Sequence, residues 1–126
     1  MAPPAAAYAH GVHVPAGFDL IVTSGVVPTA QDGSVPVTIR DQADLVWKNI
    51  VAILAEGKMS VREIISVTTY VVNSIDLQDR LQTIMTARDA ALSGHLAAST
   101  LVTVPALAKP EWLVEISVLA ARRSNS

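Results

Sequence analysis

The sequence contains no cysteine, which excludes disulfide bonds, a thiolate nucleophile and a sulfur-ligated metal site. Charged residues are scarce, at 16% of the chain, and the net charge is only −2. The lysines and arginines form no basic stripe, so a nucleic-acid partner is not expected. No apolar run approaches the roughly 18 residues that a membrane-spanning helix needs, so no membrane partner is expected either.

The first eleven residues, MAPPAAAYAHG, lack the basic and apolar regions of a secretory signal, which favours a cytoplasmic location. Metal ligands are also few. His10 and His13 are three residues apart, and in an extended strand they point to opposite faces, so they make a poor metal pair and no metal is expected. The length of 126 residues favours a single domain spanning residues 1–126.

Apolar residues, in contrast, are abundant. They make up 51% of the chain, whose mean hydropathy is +0.42. The remaining charge is too little to cover the surface of a soluble monomer of this size. Because no membrane span is present, the composition predicts an oligomer with large apolar interfaces.

Periodicity predicts the element order β-β-α-β-α-β-β. A short strand over 8–14 and a stronger one over 18–25 precede a helix from about 39 to 54, which Thr38 caps. The capping-box pattern SVRE (60–63) predicts one helical turn before a strand over 64–72. A second helix follows Asp76 and ends at Gly94, and its stripe contains Arg88. Strands over 100–104 and 112–120 complete the series, and the polar tail 122–126 is expected to be frayed.

Two helices can cover only one face of such a sheet. The strand over 64–72 is apolar or hydroxylated on both faces, so both faces are expected to be covered. The second face therefore requires another subunit, in agreement with the composition.

Glu115 is the one carboxylate within the apolar last strand. Strand alternation places it on a face with Leu113, Ser117 and Leu119. A buried carboxylate must be paired, hydrogen-bonded or protonated, and it is a candidate catalytic base. An edge strand with Glu115 in water, or a structural salt bridge, explains the residue equally well.

Other candidates carry weaker signals. Gly25 ends a strand in TSGVVP (23–28) and would let a ligand approach the backbone closely. His95 lies in the loop before Ser99 and could reach a cleft, although an ordinary hydrogen-bonded histidine is the favoured reading. Ser99 has no neighbouring base in the sequence and no nucleophile elbow around it.

From Tyr8 to Ala121 the chain resembles the RidA/YjgF/YER057c/UK114 family of reactive-intermediate deaminases. The resemblance is carried by Tyr8 itself and by four blocks in order: SGVVP (24–28), DQADLVWKNIVAILAEGKMS (41–60), VTTYVVNSIDLQD (67–79) and LVEISVLA (113–120). It implies an α+β, chorismate-mutase-like fold of the bacillary type, with two helices on one face of the sheet. It also implies a homotrimer with a barrel-like core and ligand clefts between subunits.

The resemblance further implies a cofactor-independent reaction on a small-molecule substrate. Founding members hydrolyse enamines and imines, such as 2-aminoacrylate, to 2-keto acids and ammonia. An arginine in a P-A-R block binds the substrate carboxylate, and a glutamate in the last strand positions the attacking water. A planar guanidinium suits a carboxylate, and a carboxylate can orient water for attack.

Carried over residue by residue, the family glutamate falls on Glu115, whereas the family arginine falls on Ser99, because AAS (97–99) stands where PAR is expected. Val26 also replaces a frequent glutamine. The pocket is therefore expected to be less cationic and more aliphatic, with Tyr8, Gly25, Val26, Ser99 and His95 as substrate-binding residues.

Three functions follow from these departures. The first is a hydrolase or deaminase of a less anionic C–N substrate with Glu115 as base, and with weak activity on 2-aminoacrylate. The second is a non-catalytic trimer that binds or senses a small metabolite. The third, ranked last, is a standard 2-imino-acid deaminase in which Arg88, Lys109 or His95 replaces the missing arginine.

Overall fold

The chain alternates strands and helices along its length. The computed structural model describes residues 1–124, and within them the elements are β1 (Phe18–Val22), α1 (Ile39–Glu56), β2 (Ile64–Val72), α2 (Leu77–Leu92), β3 (Ala98–Val104) and β4 (Val114–Arg123). A single 3₁₀ turn, Val61–Glu63, leads into β2. The predicted α+β class is confirmed.

The four strands form one mixed sheet in the order β1-β4-β2-β3. Strands β2 and β3 are parallel, and β4 is antiparallel to both β1 and β2. Two register pairs matter for the site. Val67 of β2 is paired with Ser99 of β3, and Tyr70 of β2 is paired with Glu115 of β4.

Both α-helices pack on the same face of the sheet. The core lies between them and the sheet, and its largest fully buried side chains include Ile50, Leu54, Ile64, Ile84 and Ile116. The opposite face has no covering layer within residues 1–124, and Leu20, Val22 and Val102 are exposed. The prediction that the helices cover only one face is confirmed.

Local signals in the sequence account for the helix ends. The Thr38 hydroxyl accepts a hydrogen bond from the Asp41 N–H at the start of α1. Ser60 and Glu63 form the predicted capping box. At the start of α2 the Ser74 hydroxyl donates to the Asp76 carboxylate at 2.5 Å and lowers the pKa of Asp76. Helix α2 ends at Leu92, and the next residue, Ser93, has the left-handed conformation just before Gly94.

Three strand predictions need correction. The strand predicted over 8–14 is wrong, because only Ala9 pairs, as an isolated bridge to Ala98, and the exposed segment around it has no second partner. The second strand ends at Val22 instead of residue 25. Strand β3 begins at Ala98, so Ser99 lies within a strand that parallel pairing with β2 extends.

The last strand also differs from its predicted bounds. It begins at Val114 rather than 112 and continues through Arg123, because pairing with β1 reaches as far as Phe18. Part of the tail expected to be frayed is thus paired, while residues 125–126 lie outside the described residues. No helix in residues 1–124 is long and apolar enough to cross a membrane.

Candidate functional site

Glu115 lies half-buried on the face of β4 that the helices leave open. Its side chain packs directly over Gly25. A Cβ atom built on Gly25 would stand 1.9 Å from Oε2 of Glu115 and 2.6 Å from its Cδ, far inside van der Waals contact. The carboxylate can therefore occupy this position only because residue 25 has no side chain.

The segment around Gly25 is held against β4 by backbone pairing. The Val26 N–H donates to the Ile116 carbonyl at 2.7 Å, and the Ile116 N–H donates back to Val26 at 3.0 Å. Three of the predicted site residues, Gly25, Val26 and Glu115, are thus brought together. Within residues 1–124 no hydrogen bond or ion pair involves the Glu115 carboxylate, which leaves both oxygens available to a water molecule, a ligand or another subunit.

A second cluster forms on the other face of the sheet, around Ser99. The Ala9 N–H donates to the Ala97 carbonyl at 2.9 Å and so places Tyr8 beside the start of β3. Arg88 of α2 approaches from above, with Nη1 at 3.4 Å from the Ser99 hydroxyl. These groups line a pocket of about 240 Å³, whose other lining residues are Ala6, Leu81, Met85 and Leu101.

The two clusters are on opposite faces within one chain. Ser99 shares a face with Val67, whereas Glu115 shares a face with Tyr70, and β2 residues three apart point in opposite directions. Glu115 and Ser99 therefore do not lie together within a single chain, and their meeting in the expected cleft between subunits stays a prediction. A site that contains both residues requires two copies.

The remaining sequence candidates lie elsewhere. His95 Nε2 is 2.6 Å from the Ile64 carbonyl oxygen, which ties the loop before β3 to the start of β2, and His95 lines a different, smaller pocket. The Lys109 ammonium lies 5.5 Å from the ring centre of Trp112. Neither residue lines the pocket around Ser99, whereas Arg88 does.

Gly25 and Val26 also line a larger pocket of about 620 Å³ between the loop after β1 and helix α1, whose α1 side the sequence did not predict. Asn49 of α1 shapes it by donating to the carbonyl oxygens of Val27 and Thr29 at 3.2 and 3.1 Å. Its only charged lining residue is Lys48. No carboxylate or imidazole accompanies Lys48 in this lining.

No metal site is evident in the described part of the chain, where no three histidine or acidic side chains are grouped closely enough to hold an ion. The sequence placed Arg88 in the α2 stripe and made it, with Lys109 and His95, one of three candidates to replace the family arginine. An arginine at an apolar position of a helix was the available signal, and its burial beside Ser99 depends on tertiary packing.

The chain is similar to known proteins over almost its whole length. A family model described as endoribonuclease L-PSP matches residues 1–122. The Rid-family protein YyfB of Yersinia pestis is 26% identical, with 92% of this chain and 87% of that chain covered and a TM-score of 0.83. None of the curated proteins matches.

Two E. coli structures are similar at higher identity. TdcF, solved with bound serine, is 31% identical, with 93% of each chain covered and a TM-score of 0.74. The YjgF gene product is 30% identical, with 92% of this chain and 88% of that chain covered and a TM-score of 0.74. The expected chorismate-mutase-like α+β fold is thereby confirmed.

Proposed function

Because the chain belongs to the endoribonuclease L-PSP family, which includes the YjgF, Rid and UK114 proteins, we propose that it hydrolyses a small enamine or imine in a cleft between subunits. Family membership supports a role in processing small molecules. The observation that carries the proposal is the unpaired Glu115 carboxylate, seated against Gly25 on the uncovered face of the sheet.

The proposed reaction requires only water and the residues of the chain. Glu115 accepts a proton from water while the water oxygen bonds to the imine carbon, and the nitrogen receives that proton. The same carboxylate then transfers the hydroxyl proton of the resulting carbinolamine to its nitrogen. The C–N bond then breaks with its electron pair on nitrogen, which releases ammonia and a carbonyl product. An enamine enters the same sequence once its carbon is protonated.

The cleft is proposed to form between subunits of a homotrimer. The uncovered sheet face, with Leu20, Val22 and Val102 exposed, supplies the apolar surface for association. Such an arrangement allows Glu115 and Gly25 of one subunit to face Tyr8, Arg88 and Ser99 of the next. A net charge of −2 offers little attraction to a phosphate backbone, which favours a small substrate over RNA despite the family's name.

Glu115→Gln tests the proposed base. Imines with and without a carboxylate are generated by an amine or amino-acid oxidase, and their decay is followed by trapping with semicarbazide. The wild type is expected to accelerate the decay of at least one imine. Glu115→Gln is expected to reduce that acceleration about 100-fold. The exposed Glu111→Gln is the matched control and should retain it. No acceleration by the wild type, or full activity in Glu115→Gln, would contradict the proposal.

A metabolite-binding trimer without catalysis is the second candidate. It is favoured by Ser99 at the position of the family arginine. It predicts that a small ligand protects the protein against thermal unfolding while no imine is consumed. Calorimetry and the trapping assay on the same preparation distinguish the two functions.

A further inference from the structure

Arg88 is an unusual member of the α2 stripe because its guanidinium is buried. Only 7% of its side chain is exposed, although it lies next to a pocket. A buried guanidinium needs strong partners, because an unpaired charge in a protein interior costs several kcal/mol. Its partners therefore indicate whether the charge is already satisfied.

The hydrogen-bond partners of the Arg88 guanidinium are strong on one edge and weak on the other. Nε and Nη2 both donate to a single oxygen of Asp89, at 3.1 and 3.0 Å. Nη1 has only the Ser99 hydroxyl, at the long distance of 3.4 Å. Asp89 thus occupies the Nε side of the fork, and the Nη1–Nη2 edge lacks a strong acceptor among the described residues. This edge is the other one on which arginine binds a carboxylate with two parallel hydrogen bonds.

We propose that Arg88 binds the carboxylate of the substrate, through its Nη1–Nη2 edge, in the pocket that Tyr8 and Ser99 line. The cation that the family places on the strand is in this chain supplied by the helix above it, and the small Ser99 leaves room for it. Asp89 holds the guanidinium in place from the opposite side, with half of its own side chain in solvent.

The inference rests on the proposed function and narrows its substrate. A carboxylate next to the reacting carbon makes the substrate a 2-imino or 2-enamino acid. The other walls of the pocket are apolar, formed by Leu81, Met85 and Leu101, and the volume is about 240 Å³. A small, uncharged side chain on the substrate fits such walls. This favours an anionic substrate, in contrast to the expectation from Ser99 alone.

The first test measures binding without turnover. The probe is 2-oxobutanoate, a small 2-keto acid, and its neutral counterpart is 2-oxobutanamide. Arg88→Met is expected to weaken binding of 2-oxobutanoate about 100-fold and to leave the weak binding of the amide unchanged. Arg62→Met, at an exposed arginine without a side-chain hydrogen bond, is the control and should match the wild type.

A second pair of variants leaves Arg88 in place, in case Arg88→Met does not fold. Ser99→Asp puts a carboxylate within reach of Nη1, so it should compete with the ligand. Ser99→Asn has the same size without the charge. The aspartate variant is expected to bind 2-oxobutanoate at least ten times more weakly than the asparagine variant. Equal affinities for that pair, or a wild type that binds acid and amide alike, would overturn the role of Arg88.

The outcome is separable from that of the proposed function. If imines are not hydrolysed but 2-oxobutanoate binds through Arg88, the catalytic proposal fails and the carboxylate site stands. If imines are hydrolysed and Arg88→Met changes neither KM nor 2-oxobutanoate binding, the carboxylate site fails and catalysis stands.

Discussion

Glu115 and Gly25 fit each other at the level of single atoms. The carboxylate occupies the volume in which any larger residue at position 25 would carry its Cβ. The backbone of Gly25 does not itself require glycine, because its φ lies outside the left-handed region that disfavours side chains. The glycine is thus explained by the neighbouring side chain, and a substitution there should act on Glu115 more than on folding.

Gly25→Ala is expected to displace the Glu115 carboxylate and to lower kcat for imine hydrolysis about tenfold or more, since a shift of about 1 Å in a catalytic group is costly. The melting temperature should change little, because the displaced atoms are the end of a flexible side chain. Gly11→Ala is the matched control, as no atom lies within 4 Å of its added methyl group. Equal kcat values for the two variants would show that the position of Glu115 does not matter.

At the scale of elements, Gln42 connects helix α1 to two loops through hydrogen bonds. It is 1% exposed, and its amide nitrogen donates to the carbonyls of Pro36 and Glu111 at 2.8 Å each. Its carbonyl oxygen accepts from the Leu113 N–H at 2.9 Å, immediately before β4 begins. This one side chain therefore sets where β4, the strand that carries Glu115, enters the sheet.

Gln42→Ala should destabilise the protein by about 3 kcal/mol, because three backbone groups lose their partner inside the protein. Gln82→Ala, on the exposed side of α2, should change stability by less than about 0.5 kcal/mol. Urea unfolding of both variants at one protein concentration measures the difference. A loss in Gln42→Ala no larger than in Gln82→Ala would mean that water replaces the lost hydrogen bonds.

Elements with strong local signals were predictable from the sequence. Thr38 and the Ser60–Glu63 capping box fixed helix starts, and the β-branched run over 64–72 matched β2 at both ends. Local signals failed where strand pairing determines the bounds of a strand. Only one bridge forms within the strand predicted over 8–14. Strand β3 includes Ser99 because this residue pairs with β2. Gln42 was missed because burial of a polar side chain depends on loops far away in the sequence.

At the scale of the whole molecule, the low charge content and the uncovered sheet face both favour association with another subunit. The composition predicted that part of the surface is buried against another subunit. The exposed Leu20, Val22 and Val102 lie on the sheet face that such a subunit would cover. The α+β class followed from the resemblance to the family. The division of the site between two faces did not, because only the register of β2 with β3 and β4 shows that Ser99 and Glu115 point apart.

That division leads to the central claim, which is that each site combines Glu115 of one subunit with Arg88 of another. Mixing two inactive variants, Glu115→Gln and Arg88→Met, tests this claim directly. In hybrid trimers some interfaces pair the intact Glu115 of one chain with the intact Arg88 of the other. Random assembly makes these about a quarter of all interfaces.

The measurement is imine hydrolysis after the two variants are unfolded together, refolded and confirmed by light scattering as trimers of the 13.3 kDa chain. The account predicts recovery of about a quarter of the activity of wild type treated in the same way, while each variant refolded alone stays inactive. Hybrid trimers with no more activity than the two parents would contradict it, because Glu115 and Arg88 would then not act together across a subunit interface.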